Sequence, residues 1–232
     1  MHIIDPPEGL DPRHPCVALS TVIFALHSRT KNALPALWIP LVRRITAPYL
    51  GKWALPGGPL QIHESLVDAA RDRLHSVTGM TPRYLEQLYT FGDPKRSAHQ
   101  RTISIVYWAL VGQAEADTLR NEDENVQWFL ADALPSLAFD HDEIVRYGLW
   151  RLRNKVEYAQ IAHRFLGSSF TIAQLRSVYE AVLQQRLDPA NFRRQAEASG
   201  RLIDTGCVQE GVRHRPPRLY RFAESSGTDS LH

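Results

Sequence analysis

Short apolar runs bounded by turn-forming residues dominate the first half of the chain. Their β-branched and aromatic content predicts strands at 17–26, 36–42, 85–91, 103–111 and around 126–130. The segment 64–77 instead carries apolar residues at helical spacing, and Gly79 ends this pattern. Pro56, Gly57 and Gly58 predict a turn ahead of that helix. Strands interrupted by a helix predict an α/β (α+β) domain.

A second amphipathic helix is predicted to begin at Asp140 and to connect this domain to the rest of the chain, over about 141–154. Asp140 can act as the N-cap, and Glu143 stands at the third helical position, as in a capping box. The apolar stripe of this helix consists of Val145, Leu149, Leu152 and Val156. A metal cluster of Asp140, His141 and Asp142 is the weaker interpretation, because capping already accounts for the acidic residues.

Two further helices and a hairpin are predicted beyond the connecting helix. Thr171 and Gln174 form a second capping-box pattern, and an amphipathic helix follows them. Asp188 as a cap and Pro189 in the first turn begin another helix, which should end before Gly200. The remaining pattern is β-like at 202–203, 207–208 and 219–222. Helix, short turn, helix and hairpin are the order of a winged helix-turn-helix.

Composition and length fit a soluble protein of two units. Hydrophobic residues make up 44% of the chain and charged residues 22%, which is ordinary for a globular protein. The two cysteines, Cys16 and Cys207, are too few for a disulfide framework. No segment resembles a signal peptide or approaches 18 uninterrupted apolar residues, so we predict a cytoplasmic, nucleoid-associated protein without membrane contact. The predicted units are a first domain at 1–154, a winged helix-turn-helix at 155–222 and a disordered tail at 223–232.

The distribution of charge favours a polyanionic partner for the second unit. Residues 156–222 contain ten arginines and six acidic residues, although the net charge of the whole chain is only +2. With Phe192 pointing inward, the last helix presents Asn191 and Arg194 on its opposite face, and such side chains suit base edges in a major groove. The candidate DNA-binding residues are Thr171, Asn191, Arg193, Arg194, Arg213, His214, Arg215 and Arg218. A module of this kind can also serve dimerisation alone, and that alternative stays open at this point.

The segment from Gly58 to Met80 resembles the signature of the Nudix family. Gly58, Glu64, Leu74, Gly79 and Met80 match the signature without a gap. The family's central carboxylates hold a divalent metal against a diphosphate, but three of these positions are occupied here by other residues. The replacements are Arg73, Ser76 and Val77, and Asp72 stands where the signature has Arg.

Because a cation and an apolar group cannot bind magnesium, we predict that hydrolysis is absent or very weak, with no catalytic residue and no bound metal. An acidic line of Glu64, Asp68 and Asp72 could recruit metal in a different way, but a solvated helix face is the simpler interpretation.

Over residues 15–222 the chain resembles the Nudix-related transcriptional regulators of NAD metabolism. The resemblance rests on the segments 52–58, 139–144, 170–171, 187–194 and 215–222. It implies a homodimer that binds palindromic operators of NAD biosynthesis or salvage genes, represses them and responds to ADP-ribose as effector. The Nudix-like loop and its surroundings provide the candidate effector-binding residues, which are Arg44, Lys52, Trp53, Gly57, Gly58, Glu64, Phe91 and Arg101.

Two other functions compete with this hypothesis. The first is an active ADP-ribose pyrophosphatase whose C-terminal module serves only dimerisation, and metal-dependent turnover would distinguish it from the regulator. The second is an RNA-associated Nudix-like protein, which would prefer single strands and would not require a palindrome.

Overall fold

The structure is a computed structural model that describes residues 14–28, 35–79, 81–82, 84–97, 100–116, 124–158, 160–211 and 216–223. The first half forms a mixed seven-stranded sheet. Its strands are β1 (Cys16–His27), β2 (Ala36–Arg43), β3 (Trp53–Ala54), β4 (Gly57–Pro59), β5 (Tyr84–Phe91), β6 (Thr102–Val111) and β7 (Val126–Leu130). The helices in the described residues are α1 (Leu66–Thr78), α2 (Gln113–Ala116), α3 (His141–Tyr158), α4 (Ile172–Leu183) and α5 (Pro189–Ala198), with a 3-10 helix at Gln160–Phe165.

Strand β1 lies at the centre of the sheet, whose main order is β3-β2-β1-β6-β5. It runs parallel to β6, from Cys16 beside Thr102 to Ala25 beside Val111, and antiparallel to β2 and β4. Residues 19–26 of β1 are all buried, because elements cover both faces of this strand. A strand that is buried on both sides has a continuous apolar sequence instead of an alternating one, and this explains the run at 17–26.

Helix α1 begins at Leu66, eight residues after Gly58. The Ser65 hydroxyl accepts a hydrogen bond from Asp68 N at 3.2 Å, and Gly79 adopts the left-handed conformation (φ 70°) that ends the helix. Its buried residues are Ala69, Ala70, Leu74 and Val77, and the two alanines pack with Leu19 and Tyr107 of the sheet. The predicted helix is therefore confirmed, with its first residue at Leu66.

The start of α3 differs from the predicted capping box. Backbone N–H groups of Glu143 and Ile144 bond to the Asp140 carbonyl, whereas the Asp140 carboxylate accepts two hydrogen bonds from Arg96 at 2.8 and 2.7 Å. Arg96 lies 44 residues earlier in the chain, so helix-local pattern reasoning could not find this partner. The apolar stripe of α3 is buried in the main core of the molecule, beside Phe24 and Trp108.

The C-terminal third folds as predicted into two helices and a two-stranded hairpin. Thr171 and Gln174 form both hydrogen bonds of a capping box, at 3.2 and 2.8 Å. Asp188 caps α5 by accepting from Asn191 N at 2.8 Å. The hairpin consists of β8 (Leu202–Val208) and β9 (Arg218–Phe222). Among the described helices, none is long and apolar enough to cross a membrane.

Candidate effector cavity and DNA-binding surface

A cavity of about 240 Å³ opens beside the glycine loop of the first domain. Its floor is formed by β1, β4 and β6, and its walls come from the loop at 44–48, from Arg96, Ser97 and Gln100, and from Phe139 and His141 at the start of α3. The residues that matter for its chemistry are Ser20, Arg44, Gly57, Gly58, Arg96, Ser104, Phe139 and His141. The cavity therefore contains three of the predicted effector-binding residues, namely Arg44, Gly57 and Gly58.

Gly57 makes β4 possible at this place. A Cβ atom on residue 57 would lie 2.3 Å from the carbonyl oxygen of Leu19, whereas a Cβ on Gly58 would meet nothing within 4 Å. The sequence predicted a turn at 56–58, but Gly57–Pro59 is a short strand that pairs with β1, because glycine allows the two backbones to approach so closely.

Two arginines give the cavity wall a positive charge. Arg44 donates from Nε to the Pro48 carbonyl at 2.7 Å, and its guanidinium lies 4.8 Å from the centre of the Phe139 ring. Phe139 itself has a positive φ of 56°, an uncommon conformation for a residue with a side chain. Arg96 on the opposite loop is held by both oxygens of Asp140. Sequence reasoning identified Arg44 but missed Arg96 and Phe139.

His141 is the third notable residue of the wall. Its side chain is buried, and Nδ1 accepts the backbone N–H of Leu55 at 2.9 Å. Burial is the main cause that lowers the pKa of His141 to about 4; Asp140 opposes this shift, and Arg96 and Arg44 add to it. The imidazole is thus neutral at physiological pH. Within the described residues, no group of three or more His, Cys, Asp or Glu side chains could hold a metal ion.

The retained glutamate of the Nudix signature is bound by the arginine that replaces a signature glutamate. Arg73 Nη1 lies 2.5 Å from Glu64 Oε1, and Arg73 Nη2 donates to the Pro59 carbonyl at 3.2 Å. Both side chains are largely buried, with 15% and 16% exposed. Along the acidic line on α1, Asp68 bonds to Ser65 and pairs with Arg71. The ion pair therefore places a positive charge where the signature has a metal ligand.

Five predicted effector-binding residues lie outside the cavity lining, namely Glu64 and the four residues Lys52, Trp53, Phe91 and Arg101. Trp53 packs edge-on against Phe129, with ring centres 5.2 Å apart, and Arg101 donates from Nη1 to the Gly92 carbonyl. Phe91 contacts Tyr89 and Tyr147. Lys52 takes part in the chain reversal after β2, where its carbonyl accepts from Arg44 N. The structure gives these residues local packing or hydrogen-bonding roles.

Helix α5 projects from the second unit with little burial of its own. None of its ten residues, all of which are described, is buried, and Phe192 makes its main inward contact with Tyr179 at 5.3 Å. Asn191 and Arg194 are exposed and linked, because Arg194 Nη2 donates to Asn191 Oδ1 at 2.8 Å. Arg193 bonds to Glu197, which also accepts from the Tyr220 hydroxyl. The predicted base-reading face is therefore solvent-accessible.

A concave surface that encloses a volume of about 180 Å³ lies where the N-terminal ends of α4 and α5 approach β9. It brings together Thr171, Arg193 and Arg218 from the predicted DNA-binding set and adds Arg176. The Thr171 hydroxyl is used as a helix cap, and Arg218 pairs with Asp204 at 2.8 Å. The predicted residues Arg213, His214 and Arg215 lie outside the described residues.

A buried glutamate fixes the turn between α4 and α5. Glu180 is 8% exposed, and its Oε1 accepts the backbone N–H of Leu187 at 2.9 Å. This hydrogen bond holds the end of the interhelical turn against α4 and so sets the direction in which α5 leaves it. Glu180 lies off the helical stripe formed by Leu175, Val178 and Val182, so the sequence pattern gave no signal of its burial.

Comparison with known families supports the two-part organisation. The model of the NUDIX domain matches residues 20–148, and the model of the NrtR DNA-binding winged helix domain matches residues 162–222. The chain is 32% identical over 214 residues to the ADPR responsive transcriptional repressor NtrR of Acinetobacter baylyi, and the match covers 88% of this chain and 82% of that protein. The chain belongs to the NrtR family.

Solved structures of this family have the same fold. The crystal structure of Shewanella oneidensis NrtR complexed with a 27mer DNA has a TM-score of 0.74 at 31% identity and covers 89% of this chain and 93% of that one. The NUDIX domain of the same protein, complexed with ADP ribose, has a TM-score of 0.51 at 29% identity over 64% of this chain and 94% of that one. An ADP-ribose pyrophosphatase of Methanocaldococcus jannaschii is 29% identical over 141 residues, 60% of this chain and 76% of that enzyme.

Proposed function

We propose that this member of the NrtR family is a DNA-binding repressor of NAD biosynthesis or salvage genes, and that ADP-ribose binding to its Nudix domain releases it from the operator. The observation that carries the proposal is the exposure of α5. A helix of ten residues without a buried side chain presents Asn191 and Arg194 together, beside the concave surface that includes Arg193 and Arg218. Such a surface suits a DNA groove better than a protein core.

The cavity of the Nudix domain provides the effector site in this proposal. Arg44 and Arg96 suit an anionic diphosphate, and the serine pair of Ser20 and Ser104, whose hydroxyl oxygens are 3.2 Å apart, adds polar groups to the floor. Support for ADP-ribose as the ligand comes from the relative that is named ADPR responsive and from the Shewanella NUDIX domain complexed with ADP ribose. A homodimer on a palindromic operator is part of the same proposal.

We further infer that this Nudix domain binds its ligand without hydrolysing it and without a metal cofactor. The support is the Arg73–Glu64 ion pair, because a guanidinium already neutralises the retained carboxylate and would repel a divalent cation. A sensor has to hold its ligand long enough to shift a conformational equilibrium, whereas an enzyme converts it. A coupling of about 1 to 3 kcal/mol between effector and DNA would change operator affinity by about 5- to 150-fold.

The direct test is a fluorescence-anisotropy titration at fixed salt concentration. The DNA upstream of the protein's own gene and of NAD genes is compared with unrelated DNA, and ADP-ribose is added last. Tight binding to one of the upstream fragments, reversed by ADP-ribose, is the expected result. Equal affinity for all DNA, or specific binding that ADP-ribose leaves unchanged, would contradict the proposal.

The competing function is an ADP-ribose pyrophosphatase with a C-terminal dimerisation module. The similarity to the Methanocaldococcus enzyme and the retained Glu64 favour it. An assay for AMP release from ADP-ribose with magnesium or manganese distinguishes the two functions. Turnover at an enzymatic rate would support the pyrophosphatase and contradict the sensor.

A further inference from the structure

His141 presents a second ring nitrogen that the described part of the chain does not use. The ring lies in the wall of the effector cavity and is only 7% exposed. Its one hydrogen bond within the described residues joins Leu55 N to Nδ1, and its remaining ring contact there is with Phe139, at 5.5 Å between ring centres. Nε2 is not among the described polar atoms that are fully buried without a partner, so it stays accessible to a ligand or to solvent in the cavity.

The hydrogen bond from Leu55 determines which tautomer the ring adopts. Because Nδ1 accepts a hydrogen bond, it cannot carry the proton of a neutral imidazole, so that proton is on Nε2. The pKa of about 4 means that the ring stays neutral over the physiological range. His141 is therefore a donor of one hydrogen bond in a fixed direction, without a charge of its own.

The neighbours of His141 determine which acceptor suits this donor. Arg96 and Arg44 line the same cavity, and both are close enough for their charges to lower the pKa of His141. Asp140 is nearby, but both of its carboxylate oxygens are bound by Arg96. A hydrogen-bond donor in a cavity that is also lined by Arg44 and by the Asp140-paired Arg96 favours an anionic oxygen over a second donor or an apolar group.

We propose that the Nε2–H of His141 donates a hydrogen bond to a phosphate oxygen of the effector, so that His141 is a ligand-binding residue of the cavity. The inference rests on the proposed effector function of this domain. In this role His141 is not a metal ligand, because its Nε2 carries a proton and has no free lone pair to bind a metal ion.

Two substitutions separate the two nitrogens of the ring. In His141→Asn, the amide oxygen can take the place of Nδ1 and still accept from Leu55, while the Nε2–H is lost. In His141→Gln, the amide nitrogen can reach the position of Nε2, while the acceptor for Leu55 is lost. A ligand-binding role predicts that Asn weakens effector binding more than Gln, and that Gln lowers stability more than Asn.

The experiment is isothermal titration calorimetry of the full chain and both variants with ADP-ribose, ADP and adenosine, combined with urea unfolding and operator affinity without effector. For His141→Asn we expect about 10- to 100-fold weaker binding of both ADP-ribose and ADP, the typical effect of losing a hydrogen bond to a charged group. Adenosine binding and operator affinity should stay unchanged.

Several outcomes would overturn the proposal. If a folded His141→Asn variant binds ADP-ribose as tightly as the unmodified protein, the proposed contact between His141 and the phosphates is wrong. The proposed regulator function is not affected by that result. If the variant loses affinity for ADP-ribose but not for ADP, His141 contacts the second ribose instead of the phosphates. If it loses affinity for adenosine equally, His141 contacts the adenosine part. If the unmodified protein binds neither ADP-ribose nor ADP, the proposed effector function itself fails, and this inference fails with it.

Discussion

The guanidinium of Arg153 joins helix α3 to the end of helix α4: its Nε donates to the Val182 carbonyl at 3.0 Å. Its Nη2 also donates to Asp132 at 2.6 Å, just after β7 of the Nudix domain. Helix α3 begins at the cavity wall with Asp140 held by Arg96, and twelve residues after the start of α3 Arg153 contacts the DNA-binding unit. One helix therefore connects the effector cavity with the winged helix.

We predict that Arg153→Met reduces the effect of ADP-ribose on DNA binding without changing ADP-ribose affinity by more than about twofold. The reason is that the variant loses the hydrogen bonds that transmit a displacement of α3 to α4. Operator affinity is measured with and without saturating ADP-ribose. Arg146→Met, an exposed position on the same helix, serves as the control and should retain the full effect. If ADP-ribose changes operator affinity equally in both variants, Arg153 does not connect the effector cavity with the winged helix.

Arg73→Ala should destabilise the Nudix domain by about 1 to 3 kcal/mol, because it leaves the largely buried Glu64 carboxylate without its partner. Urea unfolding at neutral pH measures this. Arg71→Ala on the same helix breaks an exposed pair with Asp68 and should cost less than about 1 kcal/mol. A similar cost for both variants would mean that the Arg73–Glu64 pair contributes no more than a surface ion pair.

Gly57→Ala is expected to lower the free energy of unfolding by about 2 kcal/mol or more, since the new methyl group would collide with the Leu19 carbonyl oxygen and force β4 away from β1. The matched variant Gly58→Ala places its methyl group in open space and should change stability by less than about 1 kcal/mol. Thermal or urea unfolding measures the stability of the two variants. An equal loss of unfolding free energy in both would contradict the claim that only residue 57 lies too close to the Leu19 carbonyl for a side chain.

The lowered pKa of His141 predicts a loss of stability on acidification. The native ring has a pKa of about 4 and the unfolded ring about 6.5, so the unfolded chain binds a proton that the native protein does not bind as the pH falls below 6.5. This effect should reduce the unfolding free energy by about 2 kcal/mol between pH 7 and pH 5. His141→Asn lacks the titrating group, so its stability should fall by correspondingly less over the same range.

Arg194 and Arg218 should affect DNA binding in different ways. Arg194→Ala on the exposed face of α5 should cost about 1 to 3 kcal/mol and relax sequence preference, as expected for a base contact. Arg218→Ala on β9 should weaken specific and unrelated DNA alike and lower the salt dependence by about one counterion, as expected for a phosphate contact. Anisotropy titrations over a salt series measure both, and unchanged operator affinity of the Arg194 variant would remove it from the reading face.

Local patterns predicted much of this fold because they depend on neighbours in sequence. The caps at Thr171 and Asp188 lie within three residues of the backbone groups they bind, so their spacing alone identifies them. The same logic went wrong at Asp140, where a distant arginine takes the carboxylate. The prediction of Trp53 and Phe91 as effector-binding residues was likewise made without their aromatic partners Phe129 and Tyr147, which come from distant segments.

The sequence by itself determined the two-part organisation, the caps that begin α4 and α5, and the loss of acidic residues at Arg73, Ser76 and Val77. Tertiary structure alone decided which side chains share the effector cavity, since Arg44, Arg96 and His141 come from two loops and the start of α3, far apart in the chain. It also decided the tautomer of His141 and the partners of Arg153. Propensity and periodicity act over a few residues, whereas burial and long-range hydrogen bonds depend on how the elements pack.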